Sequence, residues 1–227
     1  MGRLVLTLLC LCAGVLAVTA LGTDDLNRAT KTFYNKIFKL LGANNQFAYL
    51  VKFTNAECKK GLELNKVMSE IDPTEVLNML NTKGVYEGKR MVAAIQTGNI
   101  GPNTRHAEFR LLDPVTDSPI SHLLKSTSAQ DCVIFFSQNS PCVDFCTNPK
   151  ENNNIIKGIH ETPALVNIKD RAFVFHFMYY FDIGRDQAIA TAWKLLDKEI
   201  SLVRCYENNC YKCFNGDKLN IDCTKSK

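Results

Sequence analysis

The chain predicts a three-layer α/β domain with a largely parallel portion of sheet. Three observations carry this. Strand-type and helix-type segments alternate along most of the sequence. Cys132-Val-Ile-Phe-Phe-Ser137 is a continuous apolar run of the kind buried on both faces of a sheet. Polar, reactive residues gather where predicted strands give way to helices, which is where open α/β sheets collect ligands. At 227 residues with 46% hydrophobic content, one compact domain with a sizeable core is the natural size.

The elements follow in order. Residues 24–42 predict an amphipathic helix, with Leu26, Ala29, Phe33, Ile37, Leu40 and Leu41 on one stripe, Asp24 or Asp25 in the first turn and Gly42 as the stop. Residues 47–53, aromatic and β-branched, predict a strand. Two helical pieces are expected at 57–69 and 73–82, the second opened by Pro73. Gly84 to Gly88 reads as a turn and 89–95 as a second strand. After a loop at 98–104, a short helix runs from about His106 to Leu112 and ends before Pro114. A small helix at 119–126 precedes the apolar strand at 132–137. The next helix is expected to start near Cys142 and to be short or kinked because of Pro149. Residues 152–158 have some helical character. Residues 171–181 give the strongest strand, broken by Gly184; 186–199 is a helix carrying the lone Trp193, and 201–206 is the last core strand. The boundaries are therefore a domain over 24–206 and a tail over 207–227, whose three cysteines and Asn215-Gly-Asp217 turn predict a disulfide-tied hairpin.

The first twenty residues read differently. Met1-Gly-Arg3 is a basic start, Leu4 to Val18 a nearly unbroken apolar run, and Val18-Thr-Ala20 a small-residue cleavage site. Residues 1–20 are expected to be a signal peptide, which makes the protein secreted and carries away Cys10 and Cys12. Nothing after residue 21 is long and apolar enough for a membrane span, so no membrane partner is expected of the mature form. Eight cysteines remain, a number suited to an oxidising compartment. With Arg3 gone, 26 Lys and Arg stand against 23 Asp and Glu, a net charge of +3, which permits a polyanionic partner without demanding one.

Two stretches hold the chemistry. Arg105-His-Ala-Glu108 and Ser140-Pro-Cys-Val-Asp-Phe-Cys146 supply one His, one Glu and two Cys. His106, Cys142 and Cys146 are three ligands suited to Zn²⁺, and a catalytic zinc keeps a fourth position open. Cys142 and Cys146, four apart, share one face of a helical turn, and a helix N-terminus favours their thiolates. Glu108 is placed to carry protons at the same point. A Cys-x3-Cys could alone be a disulfide; the conjunction with His-x-Glu and the Pro before the first Cys is far more specific. If these two cysteines hold metal, Cys58, Cys132, Cys205, Cys210, Cys213 and Cys223 are left for up to three disulfides in any of 15 pairings. His122, His160 and His176 offer no reason to be preferred as a fourth ligand, and His176 reads as packed within its aromatic strand. Tyr179, Tyr180 and Phe181 are either core and rim aromatics or a stacking platform for a base. Lys59-Lys60 and Lys89-Arg90 read as solvated charges.

His106-Ala-Glu108, followed by Cys132-Val-Ile-Phe-Phe-Ser-Gln-Asn-Ser-Pro-Cys-Val-Asp-Phe-Cys146, resembles the cytidine deaminase superfamily and, within it, the AID/APOBEC-like branch. The aromatic strand ending Met178-Tyr-Tyr-Phe-Asp182, the helix after it and the strand at 201–206 are similar to that branch. The signal peptide and extra cysteines resemble its secreted members in fishes and other animals. The resemblance implies an α/β/α cytidine deaminase-like fold with a five-stranded mixed sheet flanked by helices. It implies zinc-dependent hydrolysis of cytosine to uracil in single-stranded DNA or RNA, and a part in immune defence. By position, His106, Cys142 and Cys146 match its zinc ligands, Glu108 its proton shuttle, and Tyr179 the aromatic that contacts the target base; Tyr180 and Ser140 are neighbouring candidates. The Asn expected before the His is either Asn99 or Asn103. Asn139 stands where the branch has a pocket Trp, which removes base stacking there. Two other functions stay open: deamination of a free cytidine or cytidine nucleotide, and a catalytically idle secreted binding protein on the same fold.

Overall fold

The computed structural model describes residues 21–41, 45–98 and 104–226. The signal peptide expected at 1–20, Gly42, Asn99 and Asn103 lie outside these.

The chain opens with α1 (Thr23–Lys36), which continues as a 3₁₀ turn over Phe38–Leu41. The tighter 3₁₀ winding shifts the phase of the apolar stripe. Phe38 and Leu41 therefore point inward, while Leu40, expected on the buried stripe, stands out in solvent. Next come β1 (Phe47–Phe53), the short helices α2 (Asn55–Lys59) and α3 (Leu64–Ser69), and α4 (Pro73–Lys83). Thr54 and Glu57 form a reciprocal capping box at the start of α2. The segment read as a plain turn after α4 holds a strand, β2 (Val85–Glu87), which pairs antiparallel with β3 (Met91–Ile95). Then follow α5 (Ala107–Leu112), α6 (Pro119–Leu124), β4 (Cys132–Asn139), α7 (Ile155–His160), α8 (Pro163–Val166) and β5 (Asp170–Phe177). The chain finishes with α9 (Asp186–Glu199), β6 (Ser201–Tyr206), β7 (Asn209–Lys212) and the two-stranded ribbon β8 (Phe214–Asn215) and β9 (Lys218–Leu219).

The main sheet has the order β2-β3-β1-β4-β5-β6-β7. β1 runs antiparallel to β3 and to β4; β4, β5 and β6 are mutually parallel; β7 returns antiparallel to β6. The expected five mixed strands are the centre of this sheet, and β2 and β7 extend it to seven. β7 belongs to the Cys-rich tail, so part of that tail is a strand of the main sheet rather than only a separate hairpin.

Alternation along β4 divides the core. Val133 and Phe135 face α5 to α9, while Cys132, Ile134 and Phe136 face α1 to α4. Three layers result, with a separate apolar cluster on each face of the sheet. Among the described residues no helix is long and apolar enough to cross a membrane. Among the described residues, the six cysteines outside the two-stretch motif pair as Cys58–Cys132, Cys205–Cys210 and Cys213–Cys223.

Arg90, read as solvated, is instead buried with Glu57, which it meets at 2.5 Å, and beside Glu70. Lys66 closes on Glu57 at 2.9 Å from the solvent side. This ion cluster ties the start of β3 to α2 and α3.

Candidate functional site

α5 presents the first stretch to the end of β4. His106 is its N-cap residue, in extended conformation, and Glu108 lies in its first turn. Arg110, on the same helix, donates to the carbonyl oxygens of Gly84 at 2.8 Å and Ile95 at 2.5 Å. Gly84 has φ +72°, and a Cβ there would lie 2.7 Å from the Arg110 guanidinium. The glycine thus serves both the left-handed cap of α4 and the approach of Arg110.

The second stretch is not a helix. Residues 143–147 form turns after an irregular 140–142, and the helix expected to start near Cys142 is absent. Competing hydrogen bonds account for this. The Cys142 carbonyl accepts from both the backbone N–H and the hydroxyl of Thr147, each at 3.0 Å. The Val143 N–H is taken at 2.9 Å by the Asp182 carboxylate, and the Cys146 N–H points at the Cys142 sulfur at 3.1 Å. The Cys142 sulfur is therefore supported by a specific backbone donor rather than by a helix N-terminus.

The three expected ligands converge. The ligand atoms of His106, Cys142 and Cys146 lie within 4.8 Å of one another. His106 Nδ1 is 3.1 Å from Cys146 Sγ and 3.7 Å from Cys142 Sγ, and the two sulfurs are 2.6 Å apart. Both cysteines are free and buried, beside a chain whose other described cysteines are all disulfide-bonded. Among the described residues no fourth His, Cys, Asp or Glu joins the cluster. His122 bonds Glu87 and Asp117, His160 bonds Glu199, and His176 bonds the Cys205 carbonyl. A soft, three-donor set of this kind could bind a metal ion and leave one position for another ligand.

Electrostatics couple the three. The hydrogen bond between the sulfurs holds the Cys142 thiol down, to about 6, against its burial. Burial and the neighbouring thiolate push Cys146 up. Burial works against a charged His106, but its hydrogen bond to Cys142 and the charge of Glu108 overcome it and raise the imidazole to about 9.

Glu108 stays out of the cluster and is held by two donors that the sequence reading missed. The Ser137 hydroxyl donates to Oε1 at 2.5 Å, and the Gln46 side-chain amide donates to Oε2 at 3.0 Å. The Gln46 carbonyl oxygen accepts from the Ala107 N–H at 3.0 Å, so this amide grips the helix backbone and the carboxylate together. Glu108 is 1% exposed. Ser137 carried a usable signal, as a hydroxyl at the end of an apolar strand on the face that Val133 and Phe135 define. Gln46, just before β1, carried none.

The remaining candidates divide. Tyr179 lies beside the cluster, its ring centroid 6.1 Å from that of His106. Burial and the nearby sulfurs push its phenol up to about 12, so it stays neutral. Ser140 is buried and works on the backbone: its hydroxyl accepts from the Tyr179 N–H at 2.9 Å, and its own N–H donates to the Phe177 carbonyl at 2.7 Å. It fastens the Cys142–Cys146 turn to the segment bearing Tyr179. Tyr180 and Phe181 stand largely exposed, at 77% and 60%. Asp182 is buried behind them, and its burial raises it to about 6 against the Val143 donor.

No curated protein and no solved structure matches the chain. The family model of the Secreted Novel AID/APOBEC-like Deaminase 1 matches residues 27–227, which includes every residue of the site just described. That match agrees with the mixed, helix-flanked sheet and with extracellular location. The chain belongs to the Secreted Novel AID/APOBEC-like Deaminase 1 family.

Proposed function

We propose that this protein is a zinc-dependent deaminase that hydrolyses cytosine to uracil in single-stranded DNA or RNA, with a part in immune defence. The carrying observation is the meeting of His106, Cys142 and Cys146 beside a Glu108 carboxylate whose position is fixed by Ser137 and Gln46. In the reaction, water adds its oxygen at C4 of the base, the C4–N bond to the exocyclic amine breaks, and ammonia leaves.

His106 Nδ1 and the two sulfurs would hold Zn²⁺. When bound, the ion would supply Lewis acidity that makes a water nucleophilic at neutral pH. Loading requires a neutral imidazole and two thiolates, so it releases the protons of His106 and Cys146. Glu108 takes the proton of the attacking water and delivers protons to the ring nitrogen and the departing amine. Its two donors use one lone pair on each oxygen and leave the others for this traffic. Tyr179 provides an aromatic wall for the base, with Tyr180 exposed at the rim. Ser140 positions Tyr179 through its backbone. Asn99 or Asn103 is the further candidate for contacting the base. We assign residues 1–20 to a cleaved signal peptide, which leaves an even set of cysteines: six in disulfides and two for the metal.

The test uses the secreted, purified chain. We expect about one zinc per chain by elemental analysis. Uracil should form in a side-by-side assay of single-stranded DNA, single-stranded RNA and free cytidine. Glu108→Ala should abolish turnover and keep the metal. A metal-free protein with a Cys142–Cys146 disulfide would sink the proposal, and turnover of cytidine alone would reject the polynucleotide substrate.

A further inference from the structure

On the opposite face of the sheet from the metal cluster, α1 and the ends of β4 and β5 enclose a groove of about 310 Å³. This volume is at the low end for small-molecule sites. Its floor is the stacked pair Phe47 and Phe136, ring centroids 5.9 Å apart. α1 lines it with Tyr34 and Asn35, and the sheet lines it with Gln138, His176 and Phe177. The far end is closed by Asn27 and Lys31, which both bond Asn208, and by the Cys205–Cys210 disulfide. The enclosure is therefore built from rigid parts.

We propose that this groove is a second binding site, for an uncharged planar heterocycle of the nucleobase type. Shape and surface favour a flat ring. Tyr34 and Phe177, both lining the groove, leave 45% and 40% of their surfaces in solvent. A flat ring seated in the groove removes part of that apolar area from water and adds base–aromatic contact. Polar groups favour a ring with both donor and acceptor edges. The Gln138 and Asn35 amides have no hydrogen-bond partner among the described residues, and each offers a donor and an acceptor. His176 donates through Nδ1 to the Cys205 carbonyl at 2.6 Å, and burial lowers its pKa, so its neutral Nε2 is left as an acceptor. Charge argues against a phosphate. The lining holds one cation and one carboxylate, Lys31 and Glu207, and Lys31 is already engaged by Asn208.

This site does not depend on the deaminase reading, because none of its residues belongs to the metal cluster or touches Glu108. It does adjoin it. Gln138 follows Ser137 on β4, and the Phe177 carbonyl holds the N–H of Ser140.

The test is a nuclear magnetic resonance titration of the full, metal-loaded mature chain with cytidine, uridine and adenosine, and with a short single-stranded oligonucleotide. Ring resonances of Tyr34, His176 and Phe177 should shift saturably, separately from those of Tyr179 and His106. Tyr34→Ala and Gln138→Leu should each weaken this binding by about tenfold while leaving the amide spectrum of the fold intact. Binding of nucleosides identifies free ligands as the occupant; binding of the oligonucleotide alone identifies bases within a strand. Either result upholds the site. Shifts confined to the metal centre, no shift at millimolar ligand, or unchanged affinity in both variants would overturn it.

Discussion

Ser137→Ala isolates the grip on Glu108. The hydroxyl lies 2.5 Å from a carboxylate oxygen that is almost fully buried, and no other described residue donates to that oxygen. A hydrogen bond to a charged group contributes about 1.5–3 kcal/mol, and stranding the acceptor in the interior forfeits it. For a domain of this size, each kcal/mol corresponds to roughly 2–4 °C, so the melting temperature should fall by about 3–12 °C. Urea unfolding with disulfides intact should show a lower midpoint at constant m. A double-mutant cycle with Glu108→Ala should give a coupling of about 1 kcal/mol or more. In the uracil assay, kcat should fall while KM holds, because the carboxylate loses its orientation and the base keeps its walls. A Ser137→Ala protein within about 0.5 kcal/mol of wild type, or a cycle with no coupling, would refute the reasoning.

Three more outcomes are expected. Replacing both Cys58 and Cys132 by Ala should cost about 4 kcal/mol, from the loop of 74 residues that the disulfide closes, measured by denaturant midpoint. Glu57 is held down to about 2: burial opposes its charge, but the Thr54 N–H, Lys66 and Arg90 overcome it. Its folded value is below its unfolded value, so its contribution is complete above about 4.5 and is lost as pH falls toward 2. Glu57→Gln should flatten the acid limb of stability followed by circular dichroism, and an unchanged limb would contradict this. Alkylation of the chelated, unreduced, unfolded chain should modify two thiols, at Cys142 and Cys146, and metal loading should protect both in the native protein. Label at any other cysteine in peptide mass spectrometry would refute the assignment.

Much of this arrangement is written in periodicity. The helix at 186–199 and the strand at 201–206 match α9 and β6 to the residue, because each has an unbroken pattern flanked by a clear stop. His106, Glu108, Cys142 and Cys146 were legible because their residue types and order restrict the chemistry. The turn at 143–147 was not, since the Asp182 carboxylate that takes the Val143 N–H lies 39 residues away in sequence and no local rule contains that bond. Gln46 was invisible for the same reason: its side-chain partners at 107, 108 and 137 meet it only once α5 and β4 have packed on β1. Arg90 was misread because a basic residue in a Lys-Arg pair usually stays in water, and its partner Glu57 lies in a different element. Leu40 fell off its stripe when the helix tightened into a 3₁₀ turn.

The two outer strands of the sheet carry a consequence for life outside the cell. A secreted protein meets other chains without intracellular chaperones, and an open strand edge can template unwanted addition of another chain. Here one border is β2, three residues long, ending at Glu87 under the His122 side chain. The other is β7, four residues long, stapled to β6 between directly opposed cysteines and overlaid by α1, whose Asn27 and Lys31 fasten the intervening turn. The Cys205–Cys210 disulfide should therefore guard this border as well as the fold: reducing it should free an edge strand and open it to addition of another chain.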